Sequence, residues 1–124
     1  MYFTNAVAQG LSEIKFSYGC WLRSNDGNCE GCLVGAALFS QGHKDIDQVP
    51  TQELASHWPW IENWRIEELP CCDEYLGEDV DMTLFLTHLS KHLELKEMNT
   101  EEIVSIIGKI EQEAIKEVRE AVLV

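Results

Sequence analysis

The chain has 124 residues, is 45% hydrophobic, and carries 22 acidic against 9 basic side chains, a net charge of -13 with histidine neutral. That length closes one modest core, and the composition excludes a disordered chain. The acidity disfavours direct binding to nucleic acid or anionic membranes, whose phosphates it repels, and suits a partner with a basic surface.

The first periodic segment runs from Thr4 to Tyr18. Val7, Leu11, Ile14 and Tyr18 recur at helical spacing, with Thr4 or Asn5 available as N-cap and Gly19 as a stop. CWLR (20–23) is short enough to be extended, and SNDGN (24–28) is a turn signal built on Asp26-Gly27. A small β-hairpin near residues 20–30 is therefore expected. A second helix is predicted from Glu30 to Ser40, ending at Gly42. Thr51 can cap a short helix through Ser56, and Pro59 forces a break because the residue before a proline resists the helical region. Residues 67–81 read as an acidic loop, after which Asp81 can cap a helix carrying Leu84, Phe85, Leu89, His88 and His92.

The last helix, residues 99–122, has the clearest signal. Asn99 and Glu102 form a capping box, and Glu101 and Glu102 suit the positive end of the helix dipole. Ile103, Ile107, Ile110, Ala114, Val118 and Ala121 form an apolar stripe that Ile106, Ile115 and Val122 widen. Lys109, Glu111, Glu113, Lys116, Glu117, Arg119 and Glu120 are assigned to the wet face. The C-terminal AVLV can extend beyond the core toward a second copy of the chain. The fold expected is a single mainly α domain over 1–124, a helical bundle of about four to five helices.

Three groups of residues are candidates for chemistry. In NCEGCLVGAAL (28–38), Cys29 and Cys32 form a CxxC at a predicted helix start, where a dipole lowers a thiol pKa. Glu30 between them opposes this, and the strand-helix-strand pattern of a thioredoxin-like site is not apparent. Packing is preferred over thiol redox chemistry or metal binding: Gly31, Gly35, Ala36 and Ala37 leave a smooth surface on which another backbone can lie close. The second group is Cys71 and Cys72 with His88 and His92. Histidines four apart share one helix face, and with a cysteine ligand upstream they approximate a zinc site, although adjacent cysteines diverge. The alternative is a helix with its histidines half exposed and one cysteine buried. The third is the acid cluster Glu67, Glu68, Asp73, Glu74, Glu78, Asp79 and Asp81, whose spacing does not make an EF-hand and which is read as a partner-binding surface. Trp58, Trp60 and Trp64 are expected to be core and loop anchors. No nucleophile elbow, phosphate loop or HExxH motif appears, so nothing points to an enzyme.

Several segments in order resemble a family of small proteins of unknown function from bacterial and phage genomes. They are Gly31-Cys-Leu-Val-Gly-Ala-Ala-Leu38, Trp58-Pro-Trp-Ile61, Leu69-Pro-Cys-Cys72, His88-Leu-Ser-Lys-His92 and Met98-Asn-Thr-Glu-Glu-Ile103. In the family these positions read CALGAAL-like, PWL-like, CPxC-like, HLNDxH-like and W-[ST]-x-E-x-I. Here the second cysteine is adjacent to the first, the histidine spacing is shorter, and Met98 replaces the tryptophan. What the resemblance implies is a phage or prophage accessory protein of no known activity.

No apolar run approaches the roughly 18 residues that cross a bilayer. The N-terminal MYFTNAVAQGLSEIKF lacks the features of a secretion signal, and five cysteines fit a reducing compartment, so the expected location is cytoplasmic. The function expected is binding, and possible inhibition, of a basic or nucleic-acid-binding host protein by charge mimicry. The alternatives are a zinc-stabilised structural module and a thiol redox protein.

Overall fold

In the computed structural model, which describes residues 2–63 and 82–123, the chain is mainly α-helical with a small sheet. The order is α1 (Phe3–Glu13), β1 (Lys15–Phe16), β2 (Leu22–Asn25), β3 (Asn28–Gly31), α2 (Leu33–Ser40) and α3 (Thr51–His57). A 3₁₀ helix (Pro59–Asn63), α4 (Met82–Glu94) and α5 (Thr100–Leu123) follow.

The expected hairpin is present. Asp26 and Gly27 both take positive φ, 50° and 82°, between the paired residues Asn25 and Asn28. That is the two-residue type I′ connection whose twist matches the strands it joins. β3 is the central strand, antiparallel to β2 and parallel to β1. Ile46 extends the sheet by a bridge to Leu22, exchanging bonds of 2.8 and 3.4 Å with it.

The sheet accounts for two of the helix boundaries that differ from expectation. The periodic run from Thr4 leaves the helix at Ile14, which is extended, because Lys15 and Phe16 pair with Glu30 and Gly31. Gly19 is thus not the stop. Likewise α2 begins at Leu33 and not at Glu30, since Asn28–Gly31 forms the central strand. The α1 N-cap is Tyr2, not Thr4 or Asn5, and Pro50 occupies the N-cap of α3 where Thr51 was expected. Trp58 ends α3, and Pro59 opens the 3₁₀ turn.

The core is where α1, α2, α4 and α5 converge. Phe3, Val7, Leu33, Leu38, Leu54, Phe85, Leu86, Leu89, Ile103 and Ile107 are all buried. Trp58 is buried there edge-on to Phe3, with ring centroids 5.0 Å apart. α1 lies directly on α2 because Gly10 has no side chain: a Cβ there would stand 1.9 Å from the Ala36 carbonyl oxygen. Gly35 admits the Trp21 carbonyl in the same way, at 1.7 Å from a built Cβ.

Two helices receive their N-terminal caps from distant parts of the chain. Neither Tyr2 nor Cys32, the N-caps of α1 and α2, supplies a side-chain cap. At α2 the Leu33 N–H donates to Ser90 Oγ on α4 (3.2 Å), and Ser90 in turn donates to the Leu86 carbonyl (2.8 Å). At α1 the cap is Glu111 on α5. Its carboxylate accepts from Phe3 N (2.6 Å), Thr4 N (2.9 Å), Thr4 Oγ1 (2.7 Å) and Trp60 Nε1 (3.0 Å). Negative charge is favoured there by the helix dipole as well as by the orphan N–H groups. Glu111 is only 3% exposed, so its assignment to the wet face of α5 is corrected. Asn99 Oδ1 accepts from Glu102 N at 2.8 Å, which is half of the predicted capping box. Among the described residues no helix is long and apolar enough to cross a membrane.

Candidate functional site

The CxxC is divided between two environments. Cys29 lies on β3 beside the small cluster of Ile14, Leu22 and Ala36, whereas Cys32 is the N-cap of α2 and belongs to the main core. Both are free thiols, as is Cys20. Burial pushes the Cys32 thiol above its ordinary pKa, outweighing the backbone N–H groups of Gly35 and Val34 that lower it. An attacking thiol requires the opposite shift. Glu30 pairs with Arg23 directly across the hairpin. The contacts of Gly31 and Gly35 with Trp21 show why this stretch is built from small residues. Close packing is the role the geometry supports.

His88 and His92 are brought together as their spacing predicts. Both lie on α4, with Nε2 atoms 3.1 Å apart and ring planes inclined at 71°. This is the convergence two ligands of one small cation require. The His92 side chain is only 15% exposed, and its Nδ1 meets the Glu97 carboxylate, so the half-exposed picture is corrected for this residue. The turn that places Glu97 is a Schellman motif. Lys96 takes the left-handed conformation (φ 60°), its N–H bonds Leu93 O (3.1 Å), and Glu97 N–H bonds His92 O (2.9 Å).

A second imidazole pair was not foreseen. His43, beyond α2, and His57, the last residue of α3, approach with Nε2 atoms 3.0 Å apart and rings nearly perpendicular. The two are fourteen residues apart on separate elements, so no local spacing rule could find them. Glu111 was also missed, although it stands four residues after Ile107 and eight after Ile103, in register with the buried stripe. An acid at such a position signals a buried acceptor. A concavity of about 840 Å³ lies between the hairpin, the Asp45–Asp47 loop and α4, lined in part by Tyr18, Cys20, Trp21 and Arg23. Of the predicted site residues that are among the described residues, only Cys32 borders it.

Cys71, Cys72, Glu67, Glu68, Asp73, Glu74, Glu78, Asp79, Asp81 and Trp64 lie outside the described residues. Among the described residues no group of three His, Cys, Asp or Glu side chains stands together in position to hold a metal. Comparison of the chain with protein-family models, with curated proteins and with solved structures returns no match.

Proposed function

We propose that this is a small binding protein without catalytic activity, an accessory factor of the phage or prophage type, that engages a basic surface on a macromolecular partner through the acidic segment at 67–81. The observation that supports the reading is the position of the charge. Residues 64–81 carry seven acids against one arginine. The outward positions of α5, in contrast, mix Glu101, Glu102, Glu113 and Glu117 with Lys109, Lys116 and Arg119. The acidic segment is flanked by anchors in the core, Trp58 and Ile61 before it and Phe85 and Leu86 after it. A partner that binds nucleic acid would meet carboxylates where it otherwise meets phosphates. Capture of the partner is expected to fail as salt rises from about 0.1 to 1 M, over which the screening length falls from about 10 Å to about 3 Å. It is also expected to fail when the seven acids are replaced by Asn and Gln. Binding indifferent to both changes overturns the reading.

The convergence of His88 and His92 favours a second reading, a zinc-stabilised module in which Cys71 or Cys72 completes the ligand set. Zinc would then contribute to folding itself. Chelator is expected to lower the melting temperature of the wild-type chain and to leave that of His88→Ala unchanged. A wild-type melt insensitive to chelator removes this reading.

A further inference from the structure

We infer that the concavity between the hairpin, the Asp45–Asp47 loop and α4 is a binding site for an organic cation, an ammonium or guanidinium group carried on an aromatic or apolar body. None of the groups that form it in the described residues belongs to the acidic segment at 67–81, so this site and the proposed function fail separately.

Size and walls set the class of ligand. A volume of about 840 Å³ falls within the roughly 300–1,000 Å³ of small-molecule pockets. Tyr18, Trp21, Leu22 and Ile46 contribute aromatic and aliphatic lining, and the face of an aromatic ring attracts a cation through its quadrupole. Hydrogen bonding points the same way, because most side-chain donors of the lining are taken and its carboxylates are not. Thr87 and Ser90 donate to the carbonyls of Thr83 (2.7 Å) and Leu86 (2.8 Å). The Cys20 and Cys32 thiols face the carbonyls of Glu30 (3.7 Å) and Trp21 (3.9 Å). Arg23, which also lines the concavity, is held by Glu30. Asp45 and Asp47, in contrast, have no cationic partner among the described residues. An anion entering here meets two carboxylates in a chain of net charge -13. A cation with N–H donors finds acceptors and aromatic side chains together.

The site is assembled before a ligand arrives. Ile46 is bridged to Leu22, and Asp45 Oδ1 accepts from Ser24 N–H at 2.9 Å, which ties the loop to the edge of β2. The Trp21 carbonyl accepts from Cys32 N–H at 3.3 Å and lies where Gly35 has no Cβ. The backbone that carries this aromatic wall is thereby fixed against α2. A site held in place in this way loses little to ordering when it binds.

The test is an NMR titration of the nitrogen-labelled full chain with phenethylamine and with phenylpropionate, which has the same ring and the opposite charge. Phenethylamine is expected to give saturable shifts at the Trp21 indole N–H and at the amides of Cys20 and Asp45 to Asp47, and phenylpropionate to give none. A third probe, N-acetylarginine amide, presents the cation as a protein side chain would. Tighter binding of it assigns the site to a basic side chain of a partner, and tighter binding of phenethylamine to a free amine. Asp47→Asn and Tyr18→Ala alter exposed side chains, and each is expected to weaken the preferred cation by about 2- to 5-fold. Glu53→Gln, an exposed acid on α3 outside the lining, is expected to leave the affinity unchanged. Shifts that phenylpropionate reproduces, or that spread over the surface without saturating, overturn the inference. So does a loss in Glu53→Gln equal to that in Asp47→Asn, since attraction to net charge alone would then suffice.

Discussion

The contacts that α2 makes with α1 and with Trp21, and the junctions made by α4 and α5, are secured by opposite means. At the first, side chains have been removed: Gly10 lies on the Ala36 backbone, and Gly35 lies on the carbonyl of Trp21. At the second, polar side chains cross the interior, with Ser90 and Glu111 serving the starts of helices to which they do not belong. The first kind of contact is intolerant of any added atom. The second depends on one acceptor atom being within reach of its donors, and its failures are graded by how many donors are stranded.

The largest effect is expected at the first contact. Gly35→Ala places a methyl group on a backbone carbonyl that cannot rotate away, unlike a side-chain tip. Ordinary overpacking costs about 1–3 kcal/mol, and this site should exceed that range. Against a total of about 5–15 kcal/mol for a native protein, the variant is expected to melt far below wild type, or to fail to fold, in thermal circular dichroism. Gly27→Ala is the matched control. It has a positive φ but, its chain neighbours aside, no atom of the described residues within 4 Å of the new Cβ, so the substitution adds only local backbone strain. Equal melting temperatures for the two variants would show that the contact is not tight.

The next effect belongs to Glu111. Truncation to Ala strands the Phe3 and Thr4 N–H groups, the Thr4 hydroxyl and the Trp60 indole N–H together. Leaving a buried donor unsatisfied costs about 1–3 kcal/mol, and some of these groups can reach water, so a loss of roughly 3 kcal/mol in urea unfolding is expected. Glu111→Gln keeps one acceptor oxygen but turns an amide donor toward N–H groups. It should fall between wild type and Ala. If Glu111→Gln unfolds like wild type, the carboxylate is not the cap of α1.

The same contrast explains what the sequence could reveal. Small residues in GCLVGAAL announce a close approach through their own composition, and the Asp26-Gly27 turn announces a hairpin. Both features are local. Asn99 likewise lies three residues from the N–H it caps. The boundaries at Ile14 and Leu33 were obscured because parallel pairing of β1 with β3 joins residues fifteen positions apart and overrides helical periodicity. Ser90 and Glu111 serve donors 57 and 108 residues away, where sequence spacing carries no signal. For the candidate site, His88 and His92 were legible from their four-residue step. The Glu97 contact was not, since it depends on Lys96 taking a left-handed conformation that its residue type does not favour.

Ser90→Ala should give the smallest effect and the sharpest view of a borrowed cap. Ser90 is wholly buried, and its hydroxyl is the acceptor for Leu33 N–H at the start of α2. The helix's own N-cap, Cys32, offers no side-chain hydrogen bond in its place. Removing an N-cap hydroxyl costs typically about 1 kcal/mol. Ser90→Thr adds a methyl group to a packed site and is expected to destabilise for a different reason, while keeping the cap. Amide exchange separates the two. The Leu33 N–H should exchange faster in Ser90→Ala by about the factor that global stability loses, and faster still if α2 frays locally. Unchanged exchange at Leu33, together with an unchanged unfolding midpoint, would show that α2 needs no cap from α4 and that its start is held by packing alone.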